Sequence, residues 1–102
     1  MFAVISIYQL EQMLDRGQNL RLIDLRPRQA YERSHLLGAV SLPYQELGMM
    51  DFEPYRNQPI VLYCEHGGKS MRLARDLARQ GLRTASLACG IQYYQGKYLV
   101  SG

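Results

Sequence analysis

Seven consecutive residues, Cys64-Glu65-His66-Gly67-Gly68-Lys69-Ser70, stand between an apolar stretch and an amphipathic one. Their types and order suit anion chemistry. A cysteine is nucleophilic as its thiolate. Two glycines let the backbone turn through φ angles that other residues avoid, so several N–H groups can converge on one point. A helix starting there adds partial positive charge at its N-terminus. Such a cradle favours an anion and draws the Cys64 thiol below its ordinary pKa. Lys69 brings a full positive charge near the mouth, and Ser70 can donate to sulfur. A cysteine at a strand end is otherwise most simply a small buried apolar residue. The paired glycines immediately after Cys64 are hard to explain as core packing, and they favour the nucleophile.

Other candidate residues carry competing readings. Asp24 and Arg26 end an upstream strand. They either border the mouth or form a structural ion pair, and the ion pair is favoured. Glu65 is expected to face solvent, where it can tune selectivity against doubly charged molecules. A histidine side chain can take up protons near neutral pH, but His66 is read as a solvent-facing loop residue whose backbone N–H does the work, and His35 as structural. Cys89 is either a small core residue or a second thiol able to resolve an oxidised Cys64. Tyr93, Tyr94 and Tyr98 are read as packing residues with polar tips. Two cysteines and two histidines at these spacings fit no common zinc pattern, so no metal is expected.

The elements that must position this segment alternate between strand and helix signals, which indicates an α/β domain with a mainly parallel sheet over residues 1–102. Phe2 to Ile5 reads as a strand. Ser6 with Gln9 forms a capping box opening a helix to about Asp15, which Gly17 stops. Leu20 to Leu25 is a strand, and Pro27 opens a short helix at its first turn. Ala39 to Leu42 is a short strand, Tyr44 to Met50 a helical turn, and Asp51 to Gln58 a loop. Ile60 to Tyr63 is a continuous apolar run, expected as a central strand buried on both faces. After the Cys64–Ser70 loop, Ser70, Leu73, Ala74, Leu77 and Ala78 recur at helical spacing. Arg72, Arg75, Asp76 and Arg79 fall opposite. Gly81 stops this helix, Thr84 to Ala88 is the last strand, and a final helix is expected to contain Tyr93, Tyr94 and Tyr98.

Composition narrows the function classes. A hydrophobic fraction of 47% with 21% charged residues is that of an ordinary globular chain. The apolar runs are strand-sized, far short of the ~20 residues a spanning helix needs. The N-terminal stretch through Ser6 lacks the features of a signal peptide, so a cytoplasmic location is expected and no membrane partner. Two cysteines fit a reducing compartment and are too few for a disulfide framework. A net charge of +3 favours a small anionic substrate, and no basic-aromatic stripe indicates nucleic acid.

On four segments in order, the chain resembles the rhodanese-like domain family. The Cys64–Ser70 loop is similar to its six-residue active-site loop. Leu22-Ile23-Asp24-Leu25-Arg26 is similar to its Asp-x-Arg strand, and His35 through Pro43 to its His-Ile-x-Gly-Ala-x-x-Ile-Pro segment. Leu87 through Tyr94 is similar to its Leu-x-Gly-Gly-x-x-x-Trp element. The resemblance implies a central sheet of about five strands with helices on both faces. It also implies sulfur transfer through a Cys64 persulfide without a cofactor. The expected partners are a small anionic sulfur donor and a thiol or protein acceptor, with the chain a monomer or weak homodimer. Several positions depart from the pattern. Ala30 replaces a glutamate, so Arg26 is expected to need another partner such as Glu32. Ser34 and Cys89 replace glycines, and Tyr94 replaces tryptophan. Two other functions are weighed. A non-enzymatic sulfur-relay or docking module fits the same residues. A cysteine phosphatase or arsenate reductase fits less well, because the phosphatases' arginine position is occupied by Ser70, and Lys69 lacks the bidentate fork for phosphate.

Overall fold

The computed structural model describes residues 2–102, apart from the side chain of residue 49. Five strands form a parallel sheet in the order β1-β6-β5-β2-β4: β1 is Phe2–Ile5, β2 Arg21–Asp24, β4 Val40–Ser41, β5 Ile60–Tyr63 and β6 Thr84–Leu87. Helices α1 (Ile7–Asp15), α2 (Arg28–Arg33) and α3 (Gly68–Arg79) connect them. The expected α/β architecture with helices on both faces is the one observed.

Alternation along β5 builds both halves of the core. Ile60, Leu62 and Cys64 face α3 with Leu73, Ala74 and Leu77. Val61 and Tyr63 face the opposite layer with Leu10 of α1, Leu36 and Leu87. A strand at the centre of a parallel sheet is covered on both sides, and all four β5 residues are buried. The Ser6–Gln9 capping box forms as the sequence indicates, and Gly17 takes a positive φ just beyond α1. Among the described residues no helix is long and apolar enough to cross a membrane.

Three expectations are corrected. Pro27 is the residue before the first helical one, because its extended ψ of 147° keeps it outside α2. Within the Asp51–Gln58 loop, Glu53–Tyr55 makes a single 3-10 turn. The final helix does not form. Residues beyond Gly90 run through turns into β7 (Leu99–Val100), which pairs antiparallel with β3 (His35–Leu36). Side-chain contacts to α1 anchor this stretch instead: Tyr94 OH donates to Glu11 at 2.7 Å and accepts from Tyr98 N–H at 3.2 Å, and Tyr98 OH donates to Asp15. At Gly96 any Cβ would collide with the Tyr94 hydroxyl, so the chain closes around that ring rather than coiling.

Candidate active site

The order of the strands determines where a site can lie. After β2 the chain moves to β4, and after β5 it moves the opposite way to β6. The loops leaving the neighbouring strands β2 and β5 therefore diverge and open a crevice at the carboxyl ends of the sheet. A cleft of about 280 Å³ lies there, lined by Arg26 and Pro27 from one loop and by Cys64, Glu65, His66, Gly68 and Lys69 from the other.

Cys64 is 5% exposed, at the end of β5. Its Sγ accepts from the Gly67 amide at 3.1 Å and the Ser70 amide at 3.4 Å, and lies 3.5 Å from Ser70 Oγ. The loop attains this geometry because Gly67 takes φ 101°, which a side chain would strain. A Cβ at Gly67 would also sit 3.2 Å from the Cys89 amide nitrogen. Gly67 precedes the first residue of α3, so the amides of the first helical turn, unpaired within the helix, face the sulfur. Burial alone pushes the Cys64 thiol up. The Ser70 side chain, followed by the Ser70, Gly67 and Lys69 amides, more than offsets it, and the thiol lies below its ordinary value.

The late Cys89–Gly90 turn braces this loop from behind. Ile91 N–H donates to Cys64 O at 3.1 Å and Gln92 N–H to Glu65 O at 3.2 Å. Gly90 has φ 67°, and a Cβ there would lie 2.2 Å from Glu65 O. Cys89 also has a positive φ, 61°, the left-handed conformation that glycine occupies most easily.

Asp24 and Arg26 form a buried pair. Arg26 Nη2 donates to Asp24 Oδ2 at 2.8 Å and to Ser34 O at 2.6 Å, while the Arg26 amide donates to Asp24 Oδ1 at 2.9 Å. The partner of Arg26 is thus Asp24 rather than Glu32: residues two apart at a strand end lie on the same side. Burial opposes the Arg26 charge, but the Asp24 carboxylate outweighs it and holds the guanidinium above its ordinary range. Arg26 plays both of the parts weighed for it, because it also lines the cleft.

Glu65 is half-buried and lines the cleft instead of facing bulk solvent, near enough to Arg26 to favour the guanidinium charge. Lys69 is exposed at the mouth, its Nζ 5.5 Å from the centre of the Tyr44 ring. His66 is exposed at the same mouth. His35 is structural: it stacks on Tyr31 with ring centres 3.8 Å apart, and its Nδ1 lies 2.8 Å from Tyr31 O. Cys64 and Cys89 are both free thiols. Cys89 is exposed and lines a different hollow of about 340 Å³ beside α1, with Tyr8, Glu11 and Tyr93.

Ser86 was not singled out from the sequence. It is 1% exposed on β6, with Oγ 2.7 Å from Ser70 Oγ. Thr84 and Ser86 alternate with Ala85 and Leu87, so two hydroxyls share one face of the strand. That pattern of polar residues at buried positions is the signal that could have found it.

A buried thiol held by converging amides at the switch point of a parallel sheet defines an anion-cradling cysteine site. The family model described as Rhodanese-like domain matches residues 6–97, and the chain belongs to that family. A tRNA sulfurtransferase of Desulfurococcus amylolyticus is 40% identical over 75 residues, covering 72% of this chain and 14% of that protein. The chain thus spans about a seventh of that relative's length. The thiosulfate sulfurtransferase GlpE of Pseudoalteromonas translucida is 29% identical over 98 residues, covering 95% of this chain and 92% of that one. Among solved structures, a rhodanese-like domain protein from Staphylococcus aureus superimposes with a TM-score of 0.79 at 15% identity, covering 98% of each chain.

Proposed function

We propose that the protein is a sulfurtransferase that moves sulfane sulfur through a persulfide on Cys64. The thiolate attacks the outer sulfur of a donor such as thiosulfate or a low-molecular-weight persulfide. A Cys64 S–S bond forms and the donor's sulfur–sulfur bond breaks. Its electron pair leaves as sulfite from thiosulfate, or as a thiolate from a persulfide. A thiophilic acceptor then attacks the outer sulfur and regenerates the Cys64 thiolate; cyanide would leave as thiocyanate. Neither half-reaction needs a metal or organic cofactor. The acceptor in the cell is a thiol or a partner protein, and a cytoplasmic setting would keep both cysteines reduced.

The observation that carries this reading is the pair of amides at 3.1 and 3.4 Å from Cys64 Sγ. Donors so placed stabilise negative charge on sulfur at no reorganisation cost during the reaction. A phosphatase reading has less support, since no arginine follows at the end of the loop. A relay role is compatible with the same chemistry, and the tRNA sulfurtransferase relative carries a similar stretch within a longer protein.

The test is thiocyanate formation from thiosulfate and cyanide. The wild type is expected to turn over with ping-pong kinetics, and Cys64→Ser to lose at least about a thousandfold in rate while keeping its fold. A serine variant that retains activity would overturn the assignment.

A further inference from the structure

Ser70 Oγ has one proton and three neighbours able to receive it: Gly67 O at 3.2 Å, Ser86 Oγ at 2.7 Å and Cys64 Sγ at 3.5 Å. Where that proton points decides whether Ser70 helps an anion on sulfur. Ser86 settles the choice. It is buried at 1% exposure, and among the described residues its hydroxyl has Ser70 Oγ as its hydrogen-bond partner. If Ser70 donated to Ser86, the Ser86 proton would be buried without an acceptor, which native interiors avoid. With Ser86 as the donor, every hydroxyl proton in the cluster is used.

We propose that Ser86 is a positioning residue: its hydroxyl donates to Ser70 Oγ and leaves the Ser70 proton to alternate between Gly67 O and the Cys64 sulfur. With a neutral thiol, S–H donates to Ser70 Oγ and Ser70 donates to Gly67 O. When the sulfur is an anion, the Ser70 proton turns to it, and the Ser86 hydrogen bond polarises Ser70 as a stronger donor. The chain β6–Ser86, α3–Ser70, β5–Cys64 thus links three elements without any added charge. The inference deepens the persulfide reading, since the same donor would face a persulfide anion.

Its test is independent of turnover. The rate of iodoacetamide alkylation at Cys64, followed by peptide mass so that Cys89 does not interfere, reports the thiolate as a function of pH. Ser86→Ala is expected to raise the midpoint by about half to one pH unit and to slow alkylation at neutral pH by about three- to tenfold. Ser86→Thr, which keeps the hydroxyl, is expected to restore the wild-type profile. Ser86→Cys, nearly isosteric and a weak donor, serves if the alanine variant is poorly folded, and is expected to shift the midpoint in the same direction. In a Ser70→Ala background, Ser86→Ala should have no further effect. A Ser86→Ala or Ser86→Cys profile superimposing on wild type, or an equal shift with and without the Ser70 hydroxyl, would overturn the proposal. Loss of sulfur transfer with these profiles intact would instead count against the persulfide reading.

Discussion

At the cleft, charge is balanced side chain by side chain. Arg26 is paired with Asp24, and the remaining charged side chains that line the cleft, Lys69 and Glu65, carry one charge of each sign. Attraction for an anionic donor therefore rests on the amides around Cys64 rather than on excess positive charge. A dianion meets the Glu65 carboxylate more unfavourably than a monoanion does. At an effective dielectric between protein and water, one such charge pair is worth roughly 1 kcal/mol. Glu65→Gln is accordingly expected to raise kcat/KM for thiosulfate by about three- to tenfold, and for a monoanionic persulfide by less. Steady-state comparison of the two donors checks this, and equal effects on both would remove Glu65 as a selectivity group.

Among the elements, the Cys89–Gly90 turn does more than follow β6, because it leads into the Ile91 and Gln92 amides that hold the Cys64 and Glu65 carbonyls. At Gly90 a Cβ would meet Glu65 O at 2.2 Å and Cys64 O at 2.6 Å, and the residue already has φ 67°. Gly90→Ala is expected to destabilise by about 2–4 kcal/mol and to blunt Cys64 reactivity, through displacement of the loop. Cys89→Gly should do the reverse, gaining about 0.5–1 kcal/mol by relieving a left-handed residue while losing some of that gain to unfolded-state entropy. Denaturant unfolding of both variants checks the pair. The sequence allowed much of this scale to be read. Strand β5 and helix α3 announce themselves through an apolar run and a 3.6-residue stripe, and α1 through its capping box. The two-residue strands β3 and β7 are too short to show a period. A final helix is expected after the Gly90 break, but the Tyr94 and Tyr98 hydroxyls find partners on α1, a tertiary contact that no local pattern encodes. The Ser70–Ser86 contact spans 16 residues and was hidden for the same reason.

Over the whole molecule, the sheet order brings together residues that are far apart in sequence. Arg26 and Cys64 share a cleft because β2 and β5 are neighbours whose connections diverge. Parallel pairing aligns Asp24 with Tyr63, which puts both loops at one edge. That Asp24, Arg26 and Cys64 lie at one end of the sheet is legible from the alternation of strand and helix signals, which indicates parallel strands, whereas composition alone indicates only a globular chain with a mild preference for anions. The most direct test of a Cys64 persulfide is the intact mass of the protein after incubation with thiosulfate and, in parallel, with glutathione persulfide. One added sulfur of about 32 Da, mapped to Cys64 and missing from Cys64→Ser, is the predicted result. An unchanged mass with both donors, or sulfur gained equally by the serine variant, would contradict it.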